Sequence, residues 1–196
     1  MRILTNPHCL AVPDGTEVIC RRCYRENDIE RVFIPKSVKE IQEDAFKDCT
    51  NLREVIVEEG SALRTVGKSV FCNCKNLENI TLPEGLERIE YQCFQNSGLS
   101  GVVIPNSVTT LESSAFQDCK SLSSVTFQEG SRLQSVDSYC FSGSGLEEFV
   151  APLSLRKIGG RAFCCCYSLK RVVLNEGLEK LTNCYDNYRR DLFGTF

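Results

Sequence analysis

One stretch of this chain decides its fold: Leu86-Glu-Arg-Ile-Glu-Tyr-Gln-Cys-Phe-Gln-Asn-Ser-Gly-Leu-Ser-Gly-Val-Val-Ile-Pro105. Its central phenylalanine, Phe94, belongs to a series in which phenylalanine returns every 22 to 25 residues. The series is Phe46, Phe71, Phe94, Phe116, Phe141 and Phe163. A constant period of this length is typical of a solenoid, in which each repeat buries its apolar face only against its neighbours.

The residues around each phenylalanine recur as well. Each repeat begins with an apolar-x-x-apolar segment such as Leu86-Glu-Arg-Ile89, and a small residue precedes the phenylalanine. Three residues after it comes a cysteine or serine: Cys49, Cys74, Ser97, Cys119, Ser144 and Cys166. A hexapeptide with β-branched residues at alternating positions follows, such as Leu99-Ser-Gly-Val-Val-Ile104, which predicts a short strand. Segments such as Pro105-Asn-Ser107 then predict tight turns.

These patterns predict the fold class and its boundaries. We expect an α/β repeat solenoid, right-handed, with short parallel strands forming one concave sheet and 3-10 or short helical turns elsewhere. Residues 16–181 should form about seven to eight repeats of 22–25 residues. The N-terminal frame can be aligned because Cys23-Tyr24 matches Cys93-Phe94. Residues 1–15 should be a half repeat or cap, and residues 182–196 a C-terminal cap or truncated repeat.

The repeat pattern, Leu-x-x-Ile followed by Ala-Phe-x-x-Cys-x-x-Leu-x-x-Val-x-Ile-Pro, resembles the BspA-type leucine-rich repeat family over nearly the whole chain. The resemblance implies a leucine-rich-repeat-like fold and a place among surface proteins of bacteria and protists, some of which are adhesins. Residues 1–8 contain no apolar segment long enough for a signal peptide. A cytoplasmic protein is therefore the first expectation, with the cell surface as the alternative if the chain is a fragment.

Composition limits the classes of partner. The net charge is −3 with both signs interspersed, so there is no basic footprint for nucleic acid. No apolar run approaches the roughly 18 residues that would cross a bilayer, and membrane insertion is not expected. We therefore expect a protein partner of unknown identity rather than nucleic acid or a membrane, and we expect the chain to be a monomer.

Thirteen cysteines allow several interpretations. Most occupy repeat positions where a compact apolar residue is needed, and Cys23 is explained in the same way as the small residue before Tyr24. A disulfide framework in an oxidising compartment is one alternative, and a thiol-metal site at Cys20 and Cys23 with His8 and Cys9 is another. Cys164 and Cys165 fall in a turn, where they could be exposed and modified.

The residue types in the sequence give no support to catalysis. The chain has a single histidine near its N-terminus, so a His-dependent nucleophilic triad is improbable. Acidic residues such as Glu147 and Glu148 fit a solvated face. We expect no enzyme activity, no catalytic or metal-binding residue and no cofactor.

The functional surface should be the outer face of the strands, where positions two, three and five of each hexapeptide point outward. Position five is apolar or β-branched throughout, which reflects either simple β-propensity or a binding strip. At positions two and three, the charges alternate between repeats near both ends of the stack, which favours ion pairs between neighbouring strands. In the middle of the stack the side chains at these positions are uncharged and small. We expect a partner footprint centred on Leu99–Thr126, with these candidate residues: Phe33, Ile56, Thr81, Gly101, Val103, Ser124, Thr126, Val150 and Val173.

The sequence thus predicts a non-catalytic protein-protein interaction module that binds through its concave sheet. The alternatives are a fragment of a cell-surface adhesin or surface antigen and, as a minor possibility, a thiol-metal binding protein.

Overall fold

The computed structural model describes residues 8–183, in which the chain winds through successive rungs that stack on one another. Each rung contributes one strand of two to four residues, called here the longer strand, and one strand of two residues, all paired in parallel. This is a β-solenoid of the leucine-rich-repeat kind. Its right-handed sense stays a prediction.

The longer strands come from the predicted hexapeptides. They are β1 (Cys9–Ala11), β3 (Arg31–Ile34), β5 (Glu54–Val57), β7 (Asn79–Ile80), β9 (Gly101–Ile104), β11 (Ser124–Phe127), β13 (Glu148–Val150) and β15 (Arg171–Val173). We expected them to form one concave sheet. They form three instead, in the orders β1-β3-β5-β7, β9-β11 and β13-β15, so the row of strands is interrupted twice.

A second ladder, which the sequence analysis did not predict, is formed by the apolar-x-x-apolar segments. Its two-residue strands are β2 (Val18–Ile19), β4 (Glu40–Ile41), β6 (Thr65–Val66), β8 (Arg88–Ile89), β10 (Thr110–Leu111), β12 (Ser135–Val136), β14 (Lys157–Ile158) and β16 (Lys180–Leu181). They pair in the orders β2-β4-β6 and β8-β10-β12-β14-β16. Two parallel ladders therefore enclose the core of each rung.

The remaining side of each rung consists of turns, and the helical turns expected there are not found in residues 8–183. The segment around Phe46 shows the reason. Asp44 and Asp48 adopt left-handed backbone conformations, with φ of 59° and 63°. The N–H of Phe46 donates across to the carbonyl of Val70 at 3.1 Å, while the N–H of Lys47 donates locally to Asp44 at 3.2 Å. Because alternate amides bond to the next rung, the i to i−4 hydrogen bonds of a helix cannot form.

The predicted phenylalanine column forms a continuous stack in the core. Neighbouring ring centroids lie 5.2 to 5.7 Å apart from Tyr24 through Phe163, and the ring planes are within 12° of parallel. Tyr24 stacks on Phe46 and β2 pairs with β4, so the first rung follows the frame that the N-terminal alignment predicted. The boundaries at residues 15 and 181 stay predictions, since residues 1–7 and 184–196 lie outside the described part.

Candidate partner-binding face

The candidate residues at position five lie on one outer face of the longer strands. The exposed fraction is 42% for Ile56, 55% for Val103 and 49% for Val150. Thr81 and Thr126 are also exposed, while Phe33 and Val173 are half-buried. The neighbours Val102 and Val125 point the other way and are buried, as strand alternation requires.

The strand register sets these residues side by side. Val103 pairs with Thr126 and Gly101 with Ser124 across β9 and β11. Phe33 pairs with Ile56, and Val150 with Val173. The predicted face therefore exists as rows of neighbouring side chains, divided where the sheets are interrupted. We call it the strand face, defined by the nine candidate residues.

Ion pairs flank the strand face at both ends, as predicted. Arg31 and Glu54 lie 3.4 Å apart near the N-terminal end. Near the C-terminal end, the distances are 2.9 Å for Lys170 to Glu147 and 2.8 Å for Arg171 to Glu148. Exposed pairs of this kind contribute little to stability, but they neutralise the charges that border the face.

A groove of about 630 Å³ opens on this face between β11 and β13. It is lined by Ser123, Ser124, Val125, Thr126, Phe127, Gln128, Gly130, Ser131, Glu147, Glu148, Val150, Ala151, Pro152 and Leu153. It coincides with the second interruption of the sheet, where β11 and β13 are not paired. Three candidate residues, Ser124, Thr126 and Val150, reach into it. The expected centre at Leu99–Thr126 thus overlaps the groove only at its C-terminal edge.

Sequence reasoning missed the far wall of the groove, although the repeat alignment carries a signal for it. Leu153 is 86% exposed. It follows a proline at a position that is polar in the equivalent turns, where Lys36, Glu84 and Asn106 stand. The position-four residue here is Phe149 rather than a valine or isoleucine, and position six is the small Ala151. Phe149 packs 4.9 Å from the ring of Phe163, so its bulk fills the core beneath the groove.

The cysteine column in the core has a role beyond filling space. The thiol of Cys119 donates to the carbonyl oxygen of Phe94 at 2.9 Å, and Cys74 donates to Phe46 at 3.2 Å. Burial raises the pKa of the Cys49 and Cys119 thiols to about 11. Burial also raises the pKa of Cys74 in this column well above the ordinary value, and does the same for Cys93 and Cys140, which directly precede Phe94 and Phe141. These cysteines are therefore protonated structural residues and poor nucleophiles.

The interpretation of Cys23 as a reduced core residue was wrong. Cys20 and Cys23 form a disulfide in the first rung, and both residues are exposed. Cys23 is exposed because no described rung covers it, whereas the equivalent Ala45 is fully buried. A disulfide leaves no thiolate for a metal at these two positions.

The described residues contain no group of side chains that could bind a metal ion. Within residues 8–183, no cluster of three or more His, Cys, Asp or Glu could hold a metal ion. Cys164 and Cys165 are half-buried with their sulfurs 3.6 Å apart. Cys184, for which the sequence also predicts an exposed and reactive thiol, lies outside the described residues. The same part of the chain contains no helix with the length and apolarity needed to cross a membrane.

The chain belongs to the BspA-type leucine-rich repeat family. It matches the family described as BspA type Leucine rich repeat region in six copies, over residues 17–131 and 87–187. Repeats of this kind are in general scaffolds for binding rather than catalytic folds. No curated protein matches the chain.

Solved structures agree with this assignment. A leucine-rich cell surface protein from Faecalibacterium prausnitzii is similar at 26% identity and a TM-score of 0.75, over 85% of this chain and 47% of that one. A leucine-rich repeat protein from T. pallidum is 29% identical with a TM-score of 0.74, over 83% of this chain and 78% of that one. The pneumococcal vaccine antigen PcpA shares the fold at 22% identity and a TM-score of 0.59, over 90% and 42% of the two chains.

These similarities bear on location and length. The chain spans less than half of the F. prausnitzii protein and of PcpA. The F. prausnitzii relative is a cell-surface protein, which favours the surface alternative, and the comparisons give no support to the cytoplasmic expectation.

Proposed function

We propose that this chain is the repeat region of a cell-surface protein and that it binds a protein partner through the strand face, centred on the groove between β11 and β13. The observation that carries the proposal is the pair of exposed apolar side chains in that groove, Val150 and Leu153, with the exposed Val103 beside the groove residue Thr126 on the neighbouring strand. The surface assignment is supported by the family and by the cell-surface protein from F. prausnitzii.

The chemistry of the groove favours a protein as the partner. Aliphatic side chains at the centre and a rim of serine, glutamine and paired charges resemble the apolar core and polar rim of protein interfaces. Glu147 and Glu148 lie at the rim and are each paired with a cation. A nucleic acid would require unpaired cations at this place. In this proposal the chain catalyses no reaction. It binds as a monomer, through a surface that is already formed before the partner arrives.

The binding site is tested with two double variants. Val103→Lys with Thr126→Lys places charge on the paired strands, and Val150→Lys with Leu153→Lys places it at the groove. All four side chains point to solvent, so the core is unchanged and the fold should persist. An unpaired charge at the centre of an interface weakens binding strongly, whereas rim charges chiefly change the rate.

The measurement compares capture of surface and secreted proteins by the parent domain and by each variant, followed by affinity determination with each recovered partner. Tyr91→Lys is the matched control, because Tyr91 is an exposed apolar residue on the turn side of the rung. We expect both double variants to lose capture and the control to retain it. If every partner binds the groove variant as tightly as the parent, the groove is not the site.

The surface location is tested separately in cells that express the complete natural gene. Protease treatment of intact cells should remove the repeat region, as detected by an antibody against residues 86–105. Removal only after lysis would contradict the surface assignment while leaving the binding-site proposal intact.

A further inference from the structure

The sequence Cys20-Arg-Arg-Cys23 forms a turn closed by a disulfide at the N-terminal end of the described stack. The Cα atoms of the two cysteines lie 5.4 Å apart. The N–H of Cys23 donates to the carbonyl of Cys20 at 3.3 Å, and Arg22 is left-handed with φ of 58°. Both cysteines are exposed, so an external reagent can reach the bond.

The turn does not need the covalent bond to form. In other rungs the same turn is closed by the hydrogen bond alone, at 3.2 Å from Ala45 to Gln42 and at 3.2 Å from Ala115 to Glu112. Those rungs have described neighbours on both sides. In residues 8–183, the turn of the first rung packs against the second rung, and the disulfide adds a covalent restraint to this turn.

The turn is docked on the second rung by specific contacts. The N–H groups of Arg22 and Tyr24 donate to the carbonyls of Glu43 and Ala45 at 3.2 and 2.9 Å. The guanidinium of Arg22 lies 3.1 Å from the buried carboxylate of Asp44. Loosening the turn would therefore release the edge of the first rung from the second.

Burial separates this bond from the cysteines of the core. Cys93 and Cys140 are almost completely buried, and burial raises their pKa well above the ordinary value, so they react only when the solenoid opens. An exposed disulfide is in general the labile kind that exchanges with external thiols.

We propose that Cys20–Cys23 is a thiol-exchange site for an external dithiol, and that its redox state controls how tightly the first rung is docked on the second. A thiolate of the dithiol attacks one sulfur of the pair and forms a mixed disulfide, while the other cysteine leaves as a thiolate and takes up a proton. The second thiol of the reagent then attacks the mixed disulfide and releases the first cysteine. Cys20 and Cys23 end reduced, and the dithiol ends as its own disulfide.

The experiment treats the oxidised domain with dithiothreitol under native conditions, quenches with N-ethylmaleimide and locates the labels by mass spectrometry. A synthetic peptide with the sequence of residues 18–25, oxidised, is the reference. We expect labels on Cys20 and Cys23 at a rate within about tenfold of the peptide, with Cys93 and Cys140 unlabelled. Labelling of these core cysteines together with Cys20 and Cys23 would overturn the proposal, because reduction would then require general opening.

Hydrogen exchange measures the structural consequence. After reduction, the amides of Arg22 and Tyr24 should exchange at least about tenfold faster, while the amide of Phe94, bonded to Ala115 at 2.8 Å, is unchanged. The double variant Cys20→Ser with Cys23→Ser should reproduce the reduced pattern, and reoxidation of the parent with oxidised glutathione should restore slow exchange. If the Arg22 and Tyr24 amides exchange equally in both redox states, the disulfide is a passive cross-link and the proposal fails.

Discussion

The thiol of Cys119 donates a hydrogen bond to the backbone carbonyl oxygen of Phe94, one rung earlier, at 2.9 Å. The same contact joins Cys49 to Tyr24 at 2.9 Å and Cys166 to Phe141 at 3.0 Å. Each contact ties the cysteine of one rung to the backbone beside the aromatic ring of the rung before. The column therefore suits a small, buried residue with a hydrogen-bonding group. Serine stands at two of its six positions, where the hydroxyls of Ser97 and Ser144 lie 3.3 and 3.4 Å from the thiols of Cys119 and Cys166 in the next rung.

Replacement of Cys119 tests this requirement. Cys119→Ala removes the donor and should lower the free energy of unfolding by about 1 to 2 kcal/mol, because a buried carbonyl loses one of its partners. Cys119→Ser keeps a donor of similar size and should cost less. Urea denaturation of the three proteins gives the comparison, and an alanine variant at least as stable as the serine variant would contradict the role of the hydrogen bond.

The aromatic stack makes a position-dependent prediction. Phe94→Ala and Phe116→Ala should each cost on the order of 3 to 5 kcal/mol, because each leaves a cavity between two stacked rings. Tyr24→Ala should cost less, since Tyr24 is half-buried and stacks on Phe46 alone among the described rings. Thermal unfolding followed by circular dichroism measures the order of the three variants. Equal losses of stability at all three positions would show that the number of neighbouring rings does not set how much each ring contributes.

The left-handed turn positions predict an unusual preference for glycine over alanine. Asn96 has φ of 54°, and its side-chain amide donates to Asn73 at 2.9 Å. Asn96→Ala and Asn96→Gly both lose this bond, but only alanine keeps a Cβ in the left-handed region, so Asn96→Ala should be about 1 kcal/mol less stable than Asn96→Gly. Gly143 already occupies the equivalent position of a later rung with φ of 70°. The prediction is wrong if denaturant titration finds the alanine variant the more stable of the two.

Glu90 predicts a pH dependence of stability. Burial, and next the carboxylate of Glu112, raise the pKa of Glu90 above its ordinary value of 4.5, although Lys68 and Arg88 oppose the shift. A raised native pKa means that the folded state holds the proton more tightly than the unfolded state. Protonation of Glu90 therefore stabilises the folded state below pH 4.5, and this stabilisation is lost as the pH rises through the native pKa.

Glu90→Gln should therefore stabilise the protein at neutral pH, and this gain should shrink as the pH falls below 4.5. Melting temperatures of parent and variant across the acid range measure the difference. Glu87→Gln, an exposed residue nearby, serves as the control and should show a smaller pH-dependent difference. If the rise in melting temperature caused by Glu90→Gln is the same at every pH, the titration of the Glu90 carboxyl is not its cause.

The core was predictable because it repeats. Phe46 and its successors recur at a period that only stacked rungs can satisfy, and Val102 and Val103 alternate as a strand requires. The turns were not predictable in the same way. Residues such as Asp44 and Gln92 have no local pattern that marks a left-handed backbone, and their conformation depends on amides that bond to the next rung.

The sequence by itself determined the repeat, the aromatic column, the outward row from Phe33 to Val173 and the family to which these belong. Only the tertiary structure decided that Val18–Ile19 and its equivalents form a second ladder, that the sheet is interrupted between β11 and β13, and that Leu153 lines the groove there. The tertiary structure also showed Cys23 exposed and bonded to Cys20. The reason is physical: inward and outward positions follow from the period of a strand within one rung, whereas pairing, grooves and exposure depend on which rung lies on either side.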